Sequence, residues 1–254
     1  MNHKESRIYG NKTDLDYAKI KSFFEKRKEK IGYLQPLNLT MYQDKNPELA
    51  FLRDNFEKNR FFELINLPNK IKILDIGCGV GRWGFHLSEF AEIYLGFDYS
   101  EYFIKIAQSQ AIERNFANLN FQVLSATDFK IQDLFVQPPF DLTIIAGVMA
   151  YLNDKDCVEL LKKVDILLSN NGTFYLREPI GIENRLTLTE FYSEEMEMEY
   201  SAVYRTIDEY LALFDESKLL QNMKTIKNEA LFPSELNNRK ETAQHIFVFE
   251  KVSK

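Results

Sequence analysis

Apolar positions along the chain follow two different periods, one before about residue 66 and another after it. In the first part they recur at helical spacing. Ile20, Phe23 and Phe24 share one face of DYAKIKSFFEKRKEK, with lysines and Arg27 on the other, and Asp14 or Asp16 stands where an N-cap belongs. Gly32 to Tyr42, with Pro36 inside, reads as a loop. Asn46 and Pro47 then form a helix start, an Asn cap before a proline whose missing N–H costs nothing in the first turn. That helix runs to about Asn66 on Leu49, Leu52, Phe56, Leu64 and Ile65. Arg53 and Glu57 lie four apart on it and can pair on its surface.

From Ile71 onward short apolar runs alternate with helical stretches, the pattern of a parallel α/β sheet. Ile71–Ile76, EIYLGFD ending at Asp98, Leu119–Leu124, Phe140–Ala146, Thr173–Arg177 and the closing HIFVFEKV predict strands. Arg82–Phe90, a stretch capped by Ser100, another capped by Asn153, and TIDEYLALF with a Thr206/Glu209 capping box predict helices. Glu178 to Tyr204, which contains EFYSEEMEMEY, reads as a solvated helix face or loop, or as a mobile lid. No repeat or Pro/Gly/Ser-rich linker divides the chain. The expected organisation is a helical cap over residues 1–66, frayed at its polar start, and one α/β domain over 67–254 with an insertion at about 178–204.

Composition and charge narrow the partners. A net charge of −6 disfavours a broad polyanion, so no nucleic acid is expected. Two cysteines, Cys78 and Cys157, without C-x-x-C or Cys/His spacing suit a reducing cytoplasm. No apolar run approaches a membrane span, and His3, His86 and His245 give no metal-ligand pattern. The expectation is a cytoplasmic protein with a small-molecule acceptor.

The candidate chemistry starts at IKILDIGCGVGRWG. Asp75 sits near the carboxyl end of its strand, and Gly77, Gly79 and Gly81 follow, so that backbone N–H groups can approach a ligand across the turn. A dinucleotide fingerprint needs glycine where Arg82 stands, which weakens a pyrophosphate reading. Asp98 ends the second strand about twenty residues on, placed to accept from both ribose hydroxyls, a feature that suits NAD as well. Asp128 and Phe129 lie at a third strand end.

The stretch DIGCGVG, with an acidic residue inside the strand and the two later strand-end positions, resembles motif I and its successors in the class I methyltransferases that use S-adenosylmethionine (SAM). The resemblance covers roughly residues 70 to 150. It implies a Rossmann-like, seven-stranded, mostly parallel sheet with an N-terminal helical cap. It implies SAM as cofactor and S-adenosylhomocysteine (SAH) as product. The glycine loop, Cys78 included, would hold the amino-acid end, Asp128 the adenine amino group, and Phe129 would cover the ring. Tyr99, Thr127, Ala146 and Gly147 complete the implied set. Helical extensions in that family fold over the cofactor mouth, which would bring Tyr42 or Arg53 to the SAM carboxylate.

The acceptor is narrowed by elimination. AGVMAY after the fourth strand is not the D/N-P-P-Y/F signature of nucleic-acid amino-methylating enzymes, and it offers no carboxylate for a catechol-type magnesium site, so no metal is expected. Tyr151, Arg177, Glu178, Tyr204 and Arg205 sit at or after strand ends and together make a partly cationic site suited to a sugar hydroxyl or phosphate-like oxygen. Taken singly, each has a structural explanation. His86 is a candidate base, or a packed histidine. FFEKR, MYQDKNPELAFLRDNFEK, REP and YSAVYRTIDEY together resemble small methyltransferases of bacterial capsule and O-antigen biosynthesis. By that likeness the acceptor is a saccharide or a phosphorylated or phosphoramidate precursor. A non-catalytic SAM-binding protein and an N-methyltransferase on a small amine are the alternatives.

Overall fold

The computed structural model describes residues 6–30 and 32–253; the first five residues, with His3 among them, lie outside that range. A seven-stranded sheet organises the chain, in the order β4-β3-β2-β5-β6-β10-β9. Its strands are β2 (Ile71–Ile76), β3 (Ala91–Asp98), β4 (Leu119–Val123), β5 (Phe140–Ala146), β6 (Leu168–Gly181), β9 (Met223–Ala230) and β10 (Thr242–Lys251). β2 pairs in parallel with both β3 and β5, and β10 runs antiparallel to β6 and β9. The chain moves outward from β2 through β3 to β4, then returns to β2's other edge with β5. That reversal opens a crevice at the carboxyl ends of β2 and β5, where open α/β sheets bind ligands.

Alternation along the strands builds two cores. Leu74, Ile76, Leu95, Phe97, Phe174 and Phe247 face one side, packed by α6 (Asp154–Leu167) and α7 (Ile207–Glu216). Ile73, Tyr94, Ile144, Tyr175 and Val248 face the other, with α3 (Pro47–Leu64), α4 (Arg82–Leu87) and α5 (Glu101–Glu113). The caps of α3, α5 and α7 lie where the sequence puts them: Asn46, Ser100 and Thr206 each accept from a first-turn N–H. Asp16 caps α1 (Tyr17–Arg27) in the same way. Asn153 does not cap α6 with its side chain; its Oδ1 accepts instead from the Leu15 N–H at 2.7 Å, tying the N-terminal segment to the α/β unit.

Three expectations change. The segment taken as a loop contains α2 (Pro36–Met41), with proline at its first position and Tyr42 closing it at φ 52°. Arg27 does not lie on a solvated face: it is fully buried, bonded to both Asp44 oxygens (2.7 and 2.9 Å) and to the Leu39 carbonyl. The segment read as a solvated helix face, loop or lid is instead an antiparallel hairpin, β7 (Leu186–Ser193) and β8 (Met198–Tyr204), extended by β1 (Arg7–Tyr9). Leu186 and Leu188 alternate with polar neighbours on it. The hairpin and α1 share a third core with Phe23, Phe24, Tyr200 and Val203. Among the described residues no helix is long and apolar enough to cross a membrane.

Candidate active site

A cavity of about 640 Å³ opens at the tips of β2, β3, β4 and β5, a size suited to a nucleoside-sized ligand. Its lining includes Asp75, Gly77, Cys78, Gly79, Asp98, Tyr99, Thr127, Asp128, Phe129, Ala146, Gly147, Tyr151 and Tyr42. The sequence named all of these, Tyr151 on the acceptor side and the others around the cofactor, and the structure gathers them at one cavity. Trp83, Phe97, Leu124, Thr40 and Arg82 also line it and were not foreseen in that place.

The glycine turn works differently from the expectation that its N–H groups face a ligand. The Gly77 and Cys78 N–H groups both donate to the Phe97 carbonyl (2.8 and 3.0 Å), and the Gly79 N–H donates to Asp98 Oδ2 at 3.1 Å. The turn thus contributes space. A Cβ on Gly79, at φ 56°, would lie 2.8 Å from Thr40 Cγ2, so glycine lets α2 close over the loop. Gly81 is a correction: it lies outside the cavity lining, and its missing Cβ makes room for Phe121 and Phe85 under α4.

Asp98 accepts from the Gly79 N–H and, through Oδ1, from the Ser100 N–H at 2.8 Å. Burial pushes it up to about 6 against these two donors. It joins the turn after β2 to the tip of β3 and retains lone pairs for a ligand hydroxyl. Asp75, fully inside, is pushed up to about 7 by burial while Tyr94 Oη donates to it at 2.6 Å. Two buried donors in the lining, Trp83 Nε1 and Tyr99 Oη, have no hydrogen-bond partner among the described residues. Buried polar groups are rarely left so. The donor set therefore fits adenosine with an amino-acid tail: acceptors for ribose and adenine N–H, two orphan donors, and apolar walls from Phe97 and Phe129.

The exit of β5 is held as a frame. Glu178, fully buried, accepts at Oε1 from the N–H groups of Gly147, Val148 and Met149 (3.1, 2.8 and 3.0 Å) and at Oε2 from Ala150 (3.2 Å). Arg205 takes the other side of the loop. Its guanidinium donates to the Met149 and Leu152 carbonyls (2.7 and 2.6 Å) and to Asp154 (2.8 Å), and it lines neither cavity. Its expected place in an acceptor site is corrected to a buried support.

Two further residues are corrected. His86 packs against Phe62 and Trp83, its Nε2 buried without a partner among the described residues, and burial pushes it down to about 4; it lines neither cavity. Arg53 neither pairs with Glu57 nor reaches the large cavity. It donates to the Leu236 carbonyl (2.8 and 2.6 Å) and Asn238 Oδ1 (2.8 Å). Glu57 instead bridges Arg82 (2.9 Å) and Arg177 (3.0 Å), with Asp54 also on Arg82 (2.8 Å). The residue displacing a third glycine is thus the anchor of α3.

A second cavity, about 100 Å³, adjoins the first and shares Thr40, Met41, Tyr42, Ala146, Gly147, Tyr151 and Arg177 with it. Arg53, Glu57, Tyr200, Tyr204 and Arg239 are among its other polar lining residues. Tyr204 Oη lies 3.2 Å from Tyr200 Oη and accepts from Arg239 at 3.2 Å. Burial pushes Tyr42, Tyr151 and Tyr200 up. Among the described residues no group of His, Cys, Asp or Glu is arranged to hold a metal ion.

The family described as methyltransferase domain matches residues 67–235. Phosphoethanolamine N-methyltransferase 1 of Caenorhabditis elegans is 29% identical over 161 residues, 63% of this chain and 31% of that protein. An uncharacterized protein of Rickettsia prowazekii is 31% identical over 110 residues, 41% of each. The chain thus spans well under half the length of these relatives. Among solved structures, Haemonchus contortus phosphoethanolamine N-methyltransferase 1, in complex with phosphoethanolamine and SAH, gives a TM-score of 0.66 at 19% identity, over 92% of this chain and 48% of that one. A SAM-dependent methyltransferase of Leishmania major gives 0.64 at 16% identity, over 97% of both. The chain therefore belongs to the methyltransferase domain family and has the class I methyltransferase fold.

Proposed function

We propose that the protein transfers the methyl group of SAM to an oxygen of a small-molecule acceptor seated in the second cavity. The observation that carries this is the shared wall: Tyr42, Gly147, Tyr151 and Arg177 border both the nucleoside-sized cavity and the polar one. In this reading Asp98 accepts from the ribose hydroxyls, Asp128 from the adenine amino group, Phe129 covers the ring, and Gly77, Cys78 and Gly79 leave room for the amino-acid tail beside Asp75. Tyr99, Thr127 and Ala146 close the sides. SAM supplies a methyl group already activated by its sulfonium. The protein's task is then alignment of the two ligands and exclusion of water. The Glu178 and Arg205 frame fixes the exit loop on which Gly147 and Tyr151 sit, and Phe24 packs edge-on against Tyr151 at 5.1 Å.

The second cavity holds no group that accepts a proton readily near neutral pH. Burial pushes its Tyr42, Tyr151 and Tyr200 up. On Glu57 the guanidiniums of Arg177 and Arg82 outweigh burial and hold the carboxyl down at about 2. That favours an acceptor oxygen that is already ionised over a sugar hydroxyl, within the class of saccharide, phosphorylated or phosphoramidate precursors suggested by the capsule and O-antigen resemblance. The organisation proposed with it is an N-terminal cap, residues 1–66, over a transferase domain, 67–254, whose 178–204 segment walls the acceptor side. A cytoplasmic setting supplies both SAM and such precursors. A second reading, N-methylation of a small amine, is favoured by the relatives named as phosphoethanolamine N-methyltransferases.

The test is SAH release from SAM across nucleotide-sugar, phosphorylated sugar and phosphoamine acceptors, with the product's methyl group assigned to oxygen or nitrogen by NMR. An O-methyl product supports the proposal. An N-methyl product would replace it with the second reading, and firm SAM binding without product over the whole panel would make the protein a non-catalytic binder.

A further inference from the structure

Arg53 and Arg239 stand out because neither has a carboxylate partner among the described residues. Arg53 is 8% exposed; its guanidinium donates to a backbone carbonyl and the Asn238 side-chain amide and lies over the Phe232 ring, 5.5 Å from its centroid. Arg239 belongs to an exposed part of the chain before β10, yet it turns its guanidinium inward to Tyr204 Oη. Arg177 reaches the same cavity from β6, half-neutralised by Glu57, which it shares with Arg82. The cavity wall thus holds three guanidiniums against one carboxylate, together with the hydroxyls of Tyr42, Tyr151, Tyr200 and Tyr204. Burial and the nearby charges of Arg239 and Arg177 pull Arg53 down to about 10, so it remains charged at neutral pH in a field that is net positive. A buried cation without a counterion is costly unless a ligand supplies the charge.

We propose that Arg53 and Arg239, with Arg177 at the inner wall, form an oxyanion subsite that holds a phosphate-class group of the acceptor, leaving the SAM carboxylate to other residues. The inference rests on the proposed transferase reading and narrows its acceptor to a phosphorylated molecule, excluding a neutral saccharide. Guanidiniums and tyrosine hydroxyls are donors only, or donors by preference, toward a tetrahedral oxyanion, and planar guanidinium suits two of its oxygens at once. The volume agrees: about 100 Å³ takes a compact head group, well below the roughly 300–1,000 Å³ of sites for larger ligands. The position agrees as well, since the wall shared with the large cavity puts a bound anion next to the cofactor without entering the adenosine groove. The carboxylate of SAM is the other anion within reach, and it is separable by experiment.

The test is isothermal titration of inorganic phosphate into the SAH-loaded protein at constant ionic strength, for wild type, Arg53→Gln and Arg239→Gln, with SAH titrated into each separately. The expected result is saturable phosphate binding to wild type, weakened by at least about tenfold in each variant, as for loss of a charge-assisted bond, with SAH affinity within about twofold of wild type. Arg239→Gln lies in an exposed stretch, so it keeps the test sound if Arg53→Gln fails to fold. Absence of saturable phosphate binding, or equal phosphate affinity in all three proteins, overturns the subsite. A loss of SAH affinity in Arg53→Gln with phosphate unaffected overturns it too, and assigns the guanidinium to the cofactor carboxylate. Failure of wild type to bind SAH would refute the cofactor reading by itself, because the phosphate titration is then run on the free protein and judged separately.

Discussion

Changing Glu178 to Gln removes half of the anionic clamp on the β5 exit loop and leaves the side chain's shape intact. In the native protein the two carboxylate oxygens take four N–H groups, three on Oε1 and one on Oε2. Glutamine keeps one oxygen. If that oxygen faces Gly147, Val148 and Met149, its amide nitrogen confronts the Ala150 N–H, which is orphaned at a cost of about 1–3 kcal/mol. The three remaining bonds lose their charge assistance, about 1 kcal/mol each. Neighbouring terms do not add fully, so the expected loss is about 3–5 kcal/mol, a large part of the ~5–15 kcal/mol that holds a domain together. Urea unfolding followed by the fluorescence of the buried Trp83 measures it, and SAH titration of the folded fraction should show affinity lowered by about tenfold, because Gly147 and Tyr151 ride on the loop. A loss under about 1 kcal/mol with unchanged SAH affinity would show that the carboxylate does not anchor the loop.

Other consequences follow from the buried charges. Glu57 has its folded pKa at about 2, below its ordinary value of 4.5, so its stabilisation is fully present above pH 4.5 and is lost as pH falls toward 2. Linkage puts that loss at roughly 3 kcal/mol. Acid unfolding curves should therefore show a steep decline across that window in wild type and a shallower one in Glu57→Gln, and parallel curves would refute the assignment. Asp98, pushed up to about 6 by burial, must be ionised to accept best from ribose, so SAH affinity should be flat above pH 7 and fall as pH drops below 6. Asp98→Asn should bind weakly with no such slope, while Asp75→Asn, the control for the other carboxyl that titrates near this range, should keep it. Cys78 has its thiol raised by burial and by Asp75 and Asp98, so iodoacetamide at pH 8 should leave it unmodified in the folded protein; rapid alkylation would contradict the buried placement.

The large cavity at the strand tips was legible because it is built from local signals. A strand period, a glycine turn and an acidic residue at each strand tip are short-range patterns, and the parallel sheet stacks the tips beside one another once the strands form. Helix starts were legible for the same reason at Asn46, Ser100 and Thr206. The acceptor side depends on distant pairs. Arg53 finds its partners 183 and 185 residues away, and the i,i+4 rule that pairs it with Glu57 loses to Arg177, which reaches Glu57 across 120 residues. The hairpin β7–β8 carries a period-two signal in Leu186 and Leu188, hidden by the acidic run EEMEME that crosses its turn, and its partner β1 lies at the other end of the chain. Arg205 and His86 look like site residues because they stand near strand ends or on the first helix. Only packing tells that one supports a loop and the other faces aromatic rings.

A crystal structure of the protein with SAH bears most directly on the whole account. The predicted result is adenosine lying across the tips of β2, β3 and β4, its ribose hydroxyls within hydrogen-bond distance of Asp98, its adenine amino group at Asp128, and its sulfur facing Tyr42 and Tyr151. A nucleoside bound anywhere else, or a groove that stays empty at saturating SAH, would contradict it.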